Sequence, residues 1–222
     1  MIWNLLLASF ALANSLYDAG KFDEAAAAYD QIEPKTAHVY FNLGNALFRQ
    51  EKYGLAVLNY ERARQLAPRD PDILANLKFA RQRLGADEPE RFWKTAIASS
   101  TLVEWSRYEW VAMWLTVLAV AGCVWLPRVR AGMMLVAIVA GLVTLATAGV
   151  LVIELRAAPA AVVVAGKTEA RFAPSADATV HFQLPEGAKV CIREDRGAWV
   201  YVERGDGQQG WVRTDVIERV AP

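Results

Sequence analysis

Polar and apolar positions alternate with a different period in each third of this chain, and the sharpest break comes in the middle. From Trp110 to Leu126, and again from Ala131 to Ile153, no residue is charged, and only Pro127-Arg128-Val129-Arg130 separates the two runs. At about 1.5 Å of rise per residue the runs extend about 26 and 35 Å as helices, against a hydrocarbon core of about 30 Å. The pattern predicts a transmembrane helical hairpin over 108–155, with spans at 110–126 and 131–153. So short a connection sends the second helix back antiparallel. The segments before and after the hairpin are therefore expected on the same side of the membrane.

Ahead of the hairpin the period is helical and it repeats. Leu16-Tyr17-Asp18-Ala19-Gly20-Lys21-Phe22-Asp23-Glu24-Ala25 aligns with Leu47-Phe48-Arg49-Gln50-Glu51-Lys52-Tyr53-Gly54-Leu55-Ala56, an offset of 31 residues. Helix-pair units recur at about this spacing because each pair must stack on the next to bury its apolar face. Tyr40, Leu43, Gly44, Leu47, Tyr53, Ala56, Tyr60, Ala63 and Pro68 follow the aromatic, Leu, Gly, Ala and Pro pattern of the tetratricopeptide motif, so 6–84 resembles a stack of such repeats. Gly44 and Ala56 are small where paired helices cross, and Pro68 interrupts helical hydrogen bonding. The first unit is shorter after Tyr29, which predicts an early end to its second helix. Pro71 to Leu84 reads as a capping helix, since Gly85-Ala86-Asp87-Glu88-Pro89 breaks the pattern.

The resemblance implies that the first helix of each pair lines a concave, peptide-binding surface. The corresponding residues are Asn14 and Tyr17, then His38, Phe41, Asn45, Phe48 and Arg49, and Phe79 and Gln82 on the cap. An amide at Asn14 and Asn45 both donates and accepts, which suits an extended peptide backbone. The competing reading makes Phe41, Phe48 and Phe79 core residues and Asn45 a local hydrogen-bonding residue. Residues 1–13 also carry two readings. They form an apolar run of signal-peptide length ending in Ala11-Leu12-Ala13, but no basic residue precedes it; alternatively they begin the first repeat helix.

Between the repeats and the hairpin, 85–107 mixes charges with aromatics and reads as an interfacial linker. Trp105, Tyr108, Trp110 and Trp114 mark one membrane interface and Trp125 the other. Ser106 with Glu109 forms a capping-box pattern for the first span. Basic residues do not orient the hairpin: Arg128 and Arg130 at the turn face Arg91, Lys94, Arg107, Arg156, Lys167 and Arg171 at the other side.

Beyond the hairpin the period falls to that of strands. Val162-Val163-Val164, Thr179 to Leu184, Lys189 to Arg193, Trp199 to Glu203 and Gly210 to Arg213 are parted by turn residues. Five short strands in 161–220 predict a small barrel. Ala170-Arg171-Phe172-Ala173-Pro174, Gly197-Ala198-Trp199-Val200-Tyr201-Val202 and Gly210-Trp211-Val212 resemble a bacterial SH3-like domain, although no Asn-Val precedes Arg171. The functional reading is an aromatic groove of Trp199, Tyr201 and Trp211; the alternative makes Trp211 a core residue of a small domain.

Composition narrows the possibilities further. The 222 residues carry 24 basic and 24 acidic side chains, so no nucleic-acid partner is expected. Two cysteines in dissimilar segments, and only His38 and His181, give no metal-binding spacing and no cofactor. No phosphate loop or nucleophile elbow is present, which leaves no motif for an enzyme. The chain reads as a multidomain membrane protein with an all-α tetratricopeptide helix stack, a two-helix transmembrane hairpin and a small all-β SH3-like barrel.

This order of parts resembles the BatE-like family of the bacterial aerotolerance (Bat) operon. The resemblance implies a multi-pass protein of the bacterial inner membrane with both flanking domains in the periplasm. It also implies a scaffold that assembles with von Willebrand-type Bat membrane proteins. The alternative is a cell-wall sensor or anchor whose SH3-like domain binds peptidoglycan. The expected partners are thus the lipid bilayer, partner proteins and, in the alternative, peptidoglycan.

Overall fold

The computed structural model describes residues 2–86, 100–156 and 158–220. The repeat helices and the C-terminal sheet form one compact unit, and the hairpin forms a second. The expected linker, 85–107, falls largely outside the described residues.

Five helices build the first part of the larger unit: α1 (Ile2–Asp18), α2 (Phe22–Asp30), α3 (Ala37–Arg49), α4 (Tyr53–Leu66) and α5 (Pro71–Leu84). Local chemistry fixes several of their ends. The Thr36 side chain accepts the Val39 N–H at 3.3 Å to start α3, and Asp70 accepts from Asp72 and Ile73 ahead of Pro71 to start α5. Helix α2 spans 9 residues against 14 for α4, the early end read from the short first unit. Helix α1 runs unbroken through Ala11-Leu12-Ala13, with Ala13 fully buried and Phe10 set edge-on to Tyr29 at 5.9 Å. Gly44 lets α3 cross α4 closely: a Cβ there would lie 2.7 Å from the Tyr60 ring.

Seven strands follow: β1 (Ala160–Val163), β2 (Thr168–Arg171), β3 (Val180–Leu184), β4 (Lys189–Asp195), β5 (Trp199–Arg204), β6 (Gln209–Arg213) and β7 (Ile217–Arg219). They pair antiparallel in the order β3-β2-β6-β5-β4-β1-β7. The sheet is open, which corrects the expected five-stranded barrel. Closure would require β7 to meet β3, but β7 has three residues, and Arg62 of α4 donates to the carbonyls of its last residue, Arg219 (3.0 Å), and of Val220 (3.2 Å) just after it. A side chain thus covers backbone that a neighbouring strand would otherwise pair. The strands missing from the sequence reading, β2 and β7, are too short to carry a period-2 signal.

Strand β1 joins the two halves. Ala161, Val162 and Val163 are all fully buried, with Val162 in the helical core and Ala161 and Val163 in the core of the sheet. Its continuous apolar run is that of a strand covered on both faces. Helix α4 is enclosed likewise: every residue from Ala56 to Glu61 is buried.

In the second unit, α6 (Leu102–Trp125) and α7 (Arg130–Leu155) are joined by a 3-10 turn at Pro127–Val129. Both are long and apolar enough to cross a membrane. Leu118, Leu135 and Leu145 point outward, while Ala112, Ala119 and Ala140 are buried between the helices. A polar seam accompanies them, with the Thr116 and Thr144 hydroxyls 3.3 Å apart and Thr147 donating to the Glu109 carboxylate. The capping box lies earlier than Ser106 and Glu109. Thr101 accepts the Glu104 N–H at 3.2 Å, and Glu104 accepts the Thr101 N–H at 2.9 Å. The same spacing one turn and a half upstream starts the helix first, so Ser106 instead donates to the Val103 carbonyl.

Candidate functional site

The expected groove residues lie on α1, α3 and α5, and the two asparagines head matching hydrogen-bond ladders. The Tyr29 hydroxyl donates to Asn14 Oδ1 at 2.6 Å, and Asn42 Nδ2 approaches the same oxygen at 3.5 Å. One repeat later, the Tyr60 hydroxyl donates to Asn45 Oδ1 at 2.8 Å and Asn76 Nδ2 donates to it at 2.9 Å. Burial, with the Asp18 and Tyr17 charges, pushes the Tyr29 hydroxyl up to about 12 against the opposing effect of Asn42. Burial raises Tyr60 further still. Both tyrosines therefore stay protonated and remain donors, which keeps each asparagine oxygen engaged as an acceptor.

The aromatic residues divide between packing and exposure. Phe41 is half-buried against Tyr60 at 5.9 Å, and Tyr17 is half-buried edge-on to Phe22 at 5.3 Å. Phe48 bridges Tyr53 (5.0 Å) and Phe79 (5.6 Å), while Phe79 itself is 60% exposed. The Arg49 guanidinium lies 4.8 Å over the Phe22 ring, which orients its charge. His38 and Gln82 are exposed. The expected face thus carries two amides fixed through their oxygens, one exposed ring and one oriented cation. That set can hold an extended peptide through its backbone and one apolar side chain.

On the sheet, Trp199 and Tyr201 share one face of β5, and Tyr201 pairs across to Trp211 of β6. Trp211 is 7% exposed, covered by Tyr201 at 5.1 Å and by the Arg196 guanidinium at 4.7 Å. A cleft of about 340 Å³ opens beside them, lined by Arg171, Phe172, His181, Tyr201, Gln208 and Gln209 among others. Of the expected trio only Tyr201 lines it. Phe172, 62% exposed, stacks on His181 at 4.2 Å, and His181 Nδ1 lies 3.0 Å from the Gln209 carbonyl. The sequence reading missed these residues, although an aromatic beside Pro174 and outside any apolar run was a usable sign of an exposed ring.

A second feature had no sequence signal. Glu61 of α4 is completely buried, and its carboxylate accepts from Arg81 of α5 (2.5 Å), Arg64 of α4 (3.0 Å) and Lys189 of β4 (3.0 Å). Burial alone would raise this carboxyl; Lys189, Arg64 and Arg81 outweigh it and bring the carboxyl from the usual 4.5 down to about 2. Nearby, Glu186 Oε1 accepts the Gly54 N–H at 2.6 Å, supplying the acid that Lys52 does not at the start of α4.

Residues 10–71 match the family model of the tetratricopeptide repeat, and residues 168–218 match that of the bacterial SH3 domain. No curated protein matches the chain. The protein therefore carries tetratricopeptide repeats and a bacterial SH3 domain, modules associated with protein binding and cell-wall binding, together with two helices of membrane-spanning length.

Proposed function

We propose that this chain is a non-catalytic, membrane-anchored scaffold whose repeat groove holds an extended segment of a partner protein. The carrying observation is the repeated ladder from Tyr29 to Asn14 and from Tyr60 to Asn45, which engages both amide oxygens; in this reading the two NH2 groups are the donors for a partner backbone. In this reading the fully buried carboxylate of Glu61, held by three cations, is a structural group. The resemblance of the domain order to BatE-like proteins supports a Bat-type envelope complex with von Willebrand-type membrane proteins as partners. It also favours a periplasmic location for both flanking domains. Packing of the repeats and the sheet into one unit supports two membrane crossings, because an even number returns the chain to the same side.

The test is site-specific photocrosslinking from Phe79 in the full chain in its native membrane. A discrete protein adduct is expected, and Asn14→Ala with Asn45→Ala should reduce it about tenfold or more, as loss of two backbone-directed hydrogen bonds implies. No adduct, or one unchanged by the double substitution, would remove the groove from the binding role.

The second reading, a cell-wall sensor or anchor, is favoured by the cleft of Phe172, His181 and Tyr201. Retention of the detergent-solubilised full chain on isolated sacculi, lost in Phe172→Ala, would support it. Passage without retention would set it aside.

A further inference from the structure

The groove and the sheet meet on the same two helices, at adjacent residues. On α4, Tyr60 is buried in the helical core and its hydroxyl donates to Asn45, while the next residue, Glu61, turns to the sheet and binds Lys189. On α5, Asn76 donates to the same Asn45, Arg81 donates to the same Glu61, and Leu84 packs into the sheet at Gly187. A Cβ at Gly187 would lie 2.5 Å from Leu84 Cδ1 and 3.4 Å from Val57 Cγ2, so this seat tolerates little displacement of either helix. Arg62, between these contacts, holds the carbonyls of Arg219 and Val220 and pairs with Glu218 at 3.5 Å.

The first repeat provides an internal comparison. Its ladder has the same chemistry, Tyr29 to Asn14 with Asn42 beside it. The residue after Tyr29, however, is Asp30, which is exposed and paired only with Lys35 among the described residues. One ladder therefore ends on the sheet, and its twin ends in solvent.

We infer that the second-repeat ladder is an allosteric link: what engages Asn45 in the groove shifts the seating of the SH3-like sheet on α4 and α5, and the sheet in turn sets the groove. Coupling between sites travels through packed side chains, hydrogen bonds and rigid secondary elements, and it is reciprocal. Here the elements are α4 and α5, and the two ends are Asn45 and Lys189. A partner held in the groove would thereby alter the sheet's exposed face with no contact to it. The inference rests on the groove being the binding face, but its test needs no ligand.

Hydrogen exchange of the full chain in lipid nanodiscs measures the link directly. Asn45→Ala should speed exchange of the β1 and β4 amides between about 5-fold and about 150-fold, the range of ordinary coupling energies. Asn14→Ala, of identical chemistry, should leave those amides unchanged. Lys189→Met should speed exchange across α5 and the Asn45 turn of α3 by the same factor. If Asn45→Ala does not fold, Asn76→Ser weakens the same ladder and carries the same expectation. Equal effects of the Asn14 and Asn45 substitutions on the sheet, or no effect of either, would overturn the link. A chain that shows the link but yields no crosslinked partner refutes the groove's proposed role alone; a chain that captures a partner but shows no link refutes this inference alone.

Discussion

Glu61 is the residue on which most depends. Removing its charge leaves Arg64, Arg81 and Lys189 converging on a buried site with no anion between them, so Glu61→Gln should destabilise the repeat and sheet unit by about 3–5 kcal/mol. The pH dependence follows from the lowered pKa. Because the folded value lies below the unfolded one, the contribution is complete above about 4.5 and is lost as pH falls toward about 2. Thermal melts of the wild type and Glu61→Gln should therefore differ most near neutrality and converge in acid. A milder prediction concerns the turn between α3 and α4. Glu51 has φ 63°, where the first repeat has Gly20 at φ 76°, and both turns close with the same hydrogen bond, Lys52 N to the Leu47 carbonyl and Lys21 N to the Leu16 carbonyl. Relief of the left-handed strain in Glu51→Gly should stabilise by up to about 1 kcal/mol, read as a raised denaturation midpoint.

Among the elements, the turn from β3 to β4 is the most constrained. Gly187 combines φ 79° with Leu84 pressed against its missing side chain, whereas Gly197 has φ 75° and open space around it. Gly197→Ala should cost about 1–2 kcal/mol from backbone strain alone. Gly187→Ala should cost more, and only that variant should also speed exchange in α5. The long elements were legible because they repeat a period: the apolar runs gave α6 and α7, and the 31-residue offset gave the helix pairs. The strands β2 and β7 left no such trace. Two motifs of equal spacing, Thr101 with Glu104 and Ser106 with Glu109, also competed for the start of α6, and the upstream one caps it, with Glu109 facing Thr147 instead.

At the scale of the molecule, repeat helices and sheet fold together although the hairpin separates them in sequence. Reporters fused at the N-terminus and after Pro222 should therefore give the same compartment, and one inserted at Arg128 the opposite one. A C-terminal fusion active only in the cytoplasm would refute the periplasmic assignment and leave the same-side rule standing.

The sequence by itself determined the repeat helices, the two long apolar helices and the strand-rich C-terminal segment. Each of these is written in residues a few positions apart, where periodicity and turn chemistry act. Only the tertiary structure decided that the sheet stays open, that β1 is covered on both faces, and that the outer side of α4 is an interface. These outcomes depend on Glu61 meeting Lys189, Gly54 meeting Glu186 and Arg62 meeting the end of β7, pairs more than a hundred residues apart. Before the chain folds, a charged residue on a helix looks the same whether water or another strand will satisfy it.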